Sequence, residues 1–298
     1  MGINFMFKIF YIKLNVVSCK GLLRLVFRKY RYYFPYRLRF FSKCRDFFEN
    51  GVGLEIGGPS SVFGANGIIP VYNIAKKINN VNFSDHTTWE DKITEGYSFL
   101  FNEQEKIEPG YQYVGEASNL AFAQDSSYDF VLSSHCIEHL ANPIQGLLEW
   151  IRVLKQDGIL VLVVPHKDGT FDHLRPVTTL EHLINDFNED IDEGDLTHLD
   201  EILKLHDLAR DPDAGDIKAF EKRSRKNKEN RCLHHHVFDT QLTVSLVDHM
   251  NLQILSVELF PPFHIVVIAK KIGTDQVAKN NKYLNIKEIK KNNFIRLL

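Results

Sequence analysis

The chain has 298 residues, 44% hydrophobic and 25% charged, with a formal net charge of −2. That composition excludes a disordered or low-complexity protein and allows a core of useful size. The four cysteines, Cys19, Cys44, Cys136 and Cys232, form no C-x-x-C pair, which argues against a zinc knuckle or disulfide scaffold and fits a reducing cytoplasm.

The small net charge conceals an asymmetry. Residues 1–45 hold eleven Lys and Arg and no acid, so the rest has 25 basic against 38 acidic residues, a balance of −13. This basic arm is also rich in Phe, Tyr, Ile and Leu. Lys8, Lys13 and Lys20 interrupt its apolar runs well short of the ~20 residues a bilayer span needs. The arm does not read as a cleavable signal, and Met6 stands where a myristoylation signal needs Ser or Thr. It is expected either to lie against an anionic membrane surface or a partner, or to pack on the body through its aromatics.

From Gly51 the pattern changes. Val52-Gly53-Leu54-Glu55-Ile56 reads as a short buried strand ending at Gly57-Gly58-Pro59. A second strand falls within Tyr72 to Phe83, a third at Tyr111 to Val114, a fourth at Tyr128 to Leu132. Asn142 and Pro143 then open a helix with Ile144, Leu147, Leu148 and Ile151 on one face. Gly158 to Pro165 is an apolar, β-branched run of the kind buried on both faces of a parallel sheet. Residues 166–233 are too long for a plain connection and read as a helical insert or lid. Asp239 caps a further helix. Leu252 to Leu259 and His264 to Ala269 follow, joined closely enough for an antiparallel hairpin. The tail from Lys271 is polar and expected to be loosely held. The division is therefore an arm at 1–45, a domain at 46–270 with an insert at 166–233, and a tail at 271–298. The order predicts an α/β, doubly wound Rossmann-type sheet, mostly parallel, with a C-terminal antiparallel hairpin and a helical insert after the fifth strand.

In such a sheet the ligand sits beyond the carboxyl ends of the strands. Glu55-Gly57, Glu116, Ser134-His135 and His166 all fall at those ends. Glycine after a strand lets backbone approach a ligand closely. A dinucleotide loop G-x-G-x-x-G counted from Gly57 would need glycine at Pro59 and Val62, and a phosphate loop with G-K-[ST] is absent. The loop suits a cofactor without a pyrophosphate.

Several stretches recur in order and at specific spacing: Glu55-x-Gly57-Gly58, Glu116-Ala117-Ser118-Asn119-Leu120-Ala121-Phe122, Ser126-Ser127-Tyr128-Asp129-Phe130-Val131, Cys136-Ile137-Glu138-His139-Leu140, Arg152-Val153-Leu154-Lys155 and Gly158. On these the chain resembles the class I S-adenosylmethionine-dependent methyltransferases, in particular the broad type 11 group. The resemblance runs from about Gly51 to Pro165 and is weaker from His235 to Lys270. It implies S-adenosylmethionine as cofactor, with Glu55, Gly57 and Gly58 in the loop around its methionine part. It further implies Glu116 and Ala117 at the adenine, and Ser134 and His135 beneath the sulfonium. The acid that the family places on the ribose is not obvious; Asn79 is the nearest candidate and Asp85 the next. The stretches Thr170-Phe171-Asp172-His173-Leu174-Arg175-Pro176 and His234-His235-His236-Val237-Phe238-Asp239 resemble a bacterial subgroup associated with surface-sugar or small-molecule metabolism.

A hydroxyl or amine acceptor must lose a proton, which calls for a base with a pKa near neutrality. Asp172-His173 and His235 are the catalytic candidates, and Arg175 the candidate for an anionic acceptor. His234 and His236 are expected on one face of an extended segment, with His235 opposite. Thirteen histidines are present, but the clustered ones contain no H-E-x-x-H or H-x-x-x-H pair, so no metal is expected. The function this predicts is O- or N-methylation of a small molecule or sugar by a cytoplasmic enzyme, with peripheral contact at the inner membrane face through the arm. The alternative is a non-catalytic methyltransferase-fold protein that binds or assembles in a membrane-linked glycan pathway. Nucleic acid is not expected as a partner: the body is acidic, and Ser133-Ser134-His135-Cys136 stands where an N/D-P-P-Y/F motif would be.

Overall fold

The computed structural model describes residues 38–88, 92–102 and 108–285. Residues 1–37 of the basic arm and the last part of the tail lie outside them. Eight strands form one sheet: β1 (Val52–Ile56), β2 (Lys77–Asn82), β3 (Gly96–Phe99), β4 (Gly110–Val114), β5 (Tyr128–Ser134), β6 (Leu154–Pro165), β7 (Leu252–Phe260) and β8 (His264–Lys271). Their order is β3-β4-β2-β1-β5-β6-β8-β7. The central pairs β4–β2, β2–β1, β1–β5 and β5–β6 are parallel. The β7–β8 hairpin returns antiparallel and inserts β8 beside β6. Strand β3, which the sequence did not suggest, adds an antiparallel edge.

The chain winds outward in one direction from β1 to β2 and β4, and in the other from β5 to β6. The switch point is therefore the β1–β5 junction, where a crevice opens at the carboxyl ends. Alternation along the strands feeds two cores. Val131, Leu160, Leu162 and Val164 face one; Phe130, Leu132, Ile159, Val161 and Val163 face the other. Both faces are thus covered, as the apolar run at Ile159–Val164 requires.

Five helices matter for the site: α1 (Pro143–Val153), α2 (Leu180–Asn188), α3 (Leu199–Leu205), α4 (Ile217–Ser224) and α5 (Thr240–His249). Asn142 caps α1 by accepting from Gln145 N at 3.0 Å, and Asp239 caps α5 by accepting from Leu242 N at 2.8 Å. The sheet-facing stripe of α1 is Ile144, Leu147, Trp150 and Val153. Leu148, placed on the apolar face by its spacing, is 41% exposed, because Trp150 and Val153 take the inward positions. The β1–β2 connection holds turns and one 3₁₀ segment rather than a regular helix, and Phe63, Ile69, Val71 and Tyr72 cover the sheet there.

The described end of the arm packs on the body: Leu38, Phe41 and Cys44 are buried in the second core, and Phe40 N donates to Glu258. The start of the tail is tied down rather than loose. Asn280 is 1% exposed; its Oδ1 accepts from Ile254 N, and its Nδ2 donates to Leu252 O and Asp248. Among the described residues, no helix is long and apolar enough to cross a membrane.

Candidate active site

A cavity of about 730 Å³ lies over the switch point, within the size range of small-molecule sites. Its floor and one wall come from strand ends: Gly57 and Gly58 after β1, Asn82 and Phe83 at β2, Glu116 and Ala117 after β4, and Ser134, His135 and Cys136 at β5. The insert supplies the opposite wall with Thr170, Phe171 and Arg231, and His234 follows directly after it.

The glycine loop is built from below by buried polar groups. Gly57 has φ +75°, a left-handed conformation that costs a side-chain-bearing residue energy. A Cβ on Gly58 would lie 2.3 Å from the Glu55 carboxyl carbon, so only glycine fits over that acid. Glu55 itself is fully buried and does not line the cavity. Its carboxylate accepts from Tyr72 Oη at 2.6 Å and from Ser60 N at 2.9 Å. Burial, against those two hydrogen bonds, holds its pKa up at about 8. Glu55 thus shapes the loop and does not contact the cavity, contrary to its expected place against the ligand.

On β2, Asn80 and Asn82 point at the same loop. Asn80 Oδ1 accepts from Gly58 N at 2.9 Å, and both Asn80 Nδ2 and Asn82 Nδ2 donate to Gly58 O. Gln112 of β4 completes the network through Asn80 and Asn82. Asn79 does not reach the cavity. Alternation sends its side chain to the other face, where it accepts from Tyr111 N and donates to Tyr128 Oη. Asp85 is exposed beside His86, so among the described residues the β2 end presents Asn82 and Phe83 to the cavity. The signal was legible as polar residues alternating on a strand that topology makes central.

The segment after β4 is held by α1. Trp150 Nε1 donates to Ala117 O at 2.8 Å, Arg152 donates to Leu120 O and Ala123 O, and Glu149 accepts from Leu120 N. Across the cavity, Arg231 Nη2 donates to Glu116 Oε1 at 2.5 Å, and its guanidinium lies over the Phe83 ring at 5.5 Å. Its Nε and Nη1 are buried with no hydrogen-bond partner among the described residues. His135 has φ +53° and shares a 2.8 Å hydrogen bond between its Nε2 and His264 Nδ1.

The catalytic candidates separate. His173 pairs with Asp207 at 2.9 Å outside the cavity lining. His235 is 2% exposed and hydrogen-bonded to Asn227 at 2.9 Å, also outside it. Neither imidazole is placed to meet an acceptor, because residues 234–236 thread between insert and sheet and each ring finds its own buried partner. The ring that reaches the cavity is His234, whose Nδ1 lies 2.5 Å from Asp172 Oδ2. Asp172 is 3% exposed. Burial disfavours its charge, but His234 and Arg175 outweigh it and bring the carboxyl to about 2.

Arg175, expected to hold an anionic acceptor, is 1% exposed. It donates to Asp172, Glu201, His234 O and His235 O. It ties the insert together and has no face toward the cavity. His139 and Glu138 also line the cavity, and neither was singled out from the sequence as a site residue.

Residues 99–162 match the family model of a methyltransferase domain. The match spans the Glu116-Ala117 segment, the Cys136-to-Leu140 turn and α1; the Gly57-Gly58 loop precedes it. The matched segment is that of a methyltransferase domain, which supports an enzyme with S-adenosylmethionine as the expected cofactor. No curated protein matches it. Among solved structures, it is similar to a methyltransferase from Aquifex aeolicus at 12% identity over 78% of this chain and 89% of that one, with a TM-score of 0.40. It is also similar to an arsenic(III) methyltransferase from Chlamydomonas reinhardtii at 13% identity over 78% and 66%, with a TM-score of 0.40. Identities this low transfer no acceptor to this chain.

Proposed function

We propose that this enzyme methylates a small polar acceptor, a small molecule or sugar, held between the strand ends and the insert. The observation that carries the reading is one cavity whose lining combines two kinds of surface. One is backbone and small side chains: Gly57, Gly58, Ala117 and Ser134. The other is histidine and arginine: His139, His234 and Arg231. The first fits a cofactor that backbone must approach closely. The second fits a polar acceptor.

The cofactor's fit rests on the Gly57 conformation, on the absence of room for a Cβ at Gly58, and on the unpartnered Ser134 Oγ in the wall. Gly57, Gly58, Glu116, Ala117, Ser134 and His135 are the residues assigned to hold it. When bound, S-adenosylmethionine supplies an electrophilic methyl group. The protein's own work is then chiefly orientation, an effect worth several kcal/mol when the reacting atoms are held in line. Arg231 takes the place expected for Arg175: it lines the cavity, and its Nε and Nη1, buried with no hydrogen-bond partner among the described residues, suit an acceptor carrying oxygen atoms.

The test is calorimetric binding of S-adenosylhomocysteine to wild type and to Gly57→Val. The valine adds a side chain at φ +75° where backbone meets ligand, and affinity is expected to fall at least tenfold, about 1.4 kcal/mol. Unchanged affinity in a folded variant would move the cofactor elsewhere. An acceptor screen by methyl-group incorporation, run on small hydroxyl- and amine-bearing compounds, then tests the acceptor class.

A further inference from the structure

Glu138 and His139 from the turn after β5, and His234 directly after the insert, meet in the cavity wall. One ligand-type atom from each lies within 4.8 Å of the other two. Glu138 is 1% exposed, yet neither of its carboxylate oxygens has a hydrogen-bond partner among the described residues. Its ion-pair contact is a long one, His135 Nδ1 at 3.5 Å from Oε1. Leaving a buried carboxylate without compensation is costly, so this acid calls for a cationic ligand.

The two imidazoles are prepared in the same way. His139 Nδ1 lies 3.0 Å from Leu233 O, and His234 Nδ1 lies 2.5 Å from Asp172 Oδ2. A carbonyl and an ionised carboxylate can only accept, so both Nδ1 atoms donate, and in the neutral imidazole Nε2 is the nitrogen with the lone pair that a metal takes. A metal-bound histidine typically donates its other N–H to a carboxylate or a backbone carbonyl; here one ring uses each. Asp172 is fixed in turn by Arg175 at 3.0 Å.

We propose that Glu138, His139 and His234 form a site for a divalent transition cation of the Zn(II) class. Two histidines and one carboxylate leave open positions, the arrangement of a catalytic rather than a structural centre. Those positions face the cavity. Resting on the methyl-transfer reading, the open position takes the acceptor's heteroatom and makes its proton acidic near neutral pH, which supplies the activation that His173 and His235 are not placed to give.

The experiment uses the full chain, stripped with chelator and dialysed. Zn(II) is titrated by calorimetry, and Co(II) by visible absorption. The expected result is a tight equivalent whose Co(II) band disappears in Glu138→Gln and His234→Ala, with Zn(II) affinity down by roughly two orders of magnitude or more. Asp172→Asn, which keeps the shape but removes the charge that His234 and Arg175 share, should weaken binding by about 10–100-fold. His198→Ala is the control, because His182, His198 and His236 form a second cluster; it should leave the band unchanged. S-adenosylhomocysteine binding is measured on the same proteins and is expected to survive Glu138→Gln, so loss of the metal site and failure of the cofactor assignment give different patterns. Should His234→Ala not fold, the isosteric Glu138→Gln decides. The proposal is overturned by a wild type that takes up no Co(II), by a band indifferent to Glu138→Gln, or by a band that vanishes with His198→Ala alone.

Discussion

Gly58 and Asn80 hydrogen-bond each other twice: Gly58 N donates to Asn80 Oδ1, and Asn80 Nδ2 donates to Gly58 O, both at 2.9 Å. An asparagine side chain thereby pairs with both backbone polar groups of one loop residue from the neighbouring strand. It locks the loop that forms the cavity floor. Asn80→Ala should leave Gly58 N and one hydrogen bond each of Asn82 and Gln112 unmade, at a cost of about 1–3 kcal/mol in stability. S-adenosylhomocysteine affinity should fall with it, while Asn79→Ala, on the opposite face of β2, should spare affinity. Equal effects of the two on calorimetric binding would refute this division of labour.

Arg231 and Arg175 are expected to behave oppositely. Arg231 lines the cavity, keeps Nε and Nη1 buried with no hydrogen-bond partner among the described residues, and is paired with a partly exposed Glu116. Arg231→Ala should change ligand affinity more than it changes the melting temperature, since one partly solvated ion pair contributes little to stability.

Arg175→Met should do the reverse. It removes a fully buried guanidinium that serves two acids and two carbonyls, and breaking such a pair costs about 3–5 kcal/mol. Thermal or urea unfolding is expected to show the loss. A melting temperature within a degree of wild type would remove Arg175 from the role of strut.

Glu55 makes stability depend on pH. Burial is the main cause of its raised pKa, from 4.5 to about 8, with Tyr72 and Ser60 opposing. The folded protein therefore keeps this proton where the unfolded chain has lost it. The contribution is fully present below about pH 4.5 and disappears as the pH rises through about 8. Glu55→Gln removes the charge while its Oε1 can still accept from Ser60 N and its amide NH2 can donate to the Tyr72 hydroxyl. Its melting temperature relative to wild type should climb between pH 6 and pH 9; parallel curves would rule the effect out.

Much of the fold was legible because its signals are local. The span of β1, the caps Asn142 and Asp239, the apolar run of β6 and the closing hairpin each depend on a few consecutive residues. The strand-end placement of Gly57, Glu116 and Ser134 followed from them. The sequence by itself determined the sheet, its winding and the edge at which ligands meet it, since hydrophobic period and capping chemistry act over one element at a time. What only the tertiary structure decided is which polar side chain faces that edge. Asn79 and Asn80 are adjacent in sequence, and only the position of β2 between β1 and β4 turns one toward the loop and the other away. In the His234-His235-His236 run, alternation predicted two faces. The rings instead go to Asp172, Asn227 and Ala141, because a buried polar group takes whichever partner the packing of distant segments brings within reach. Glu138 and His139 lie about a hundred residues from His234, and no spacing rule joins them until the insert folds back over the strand ends.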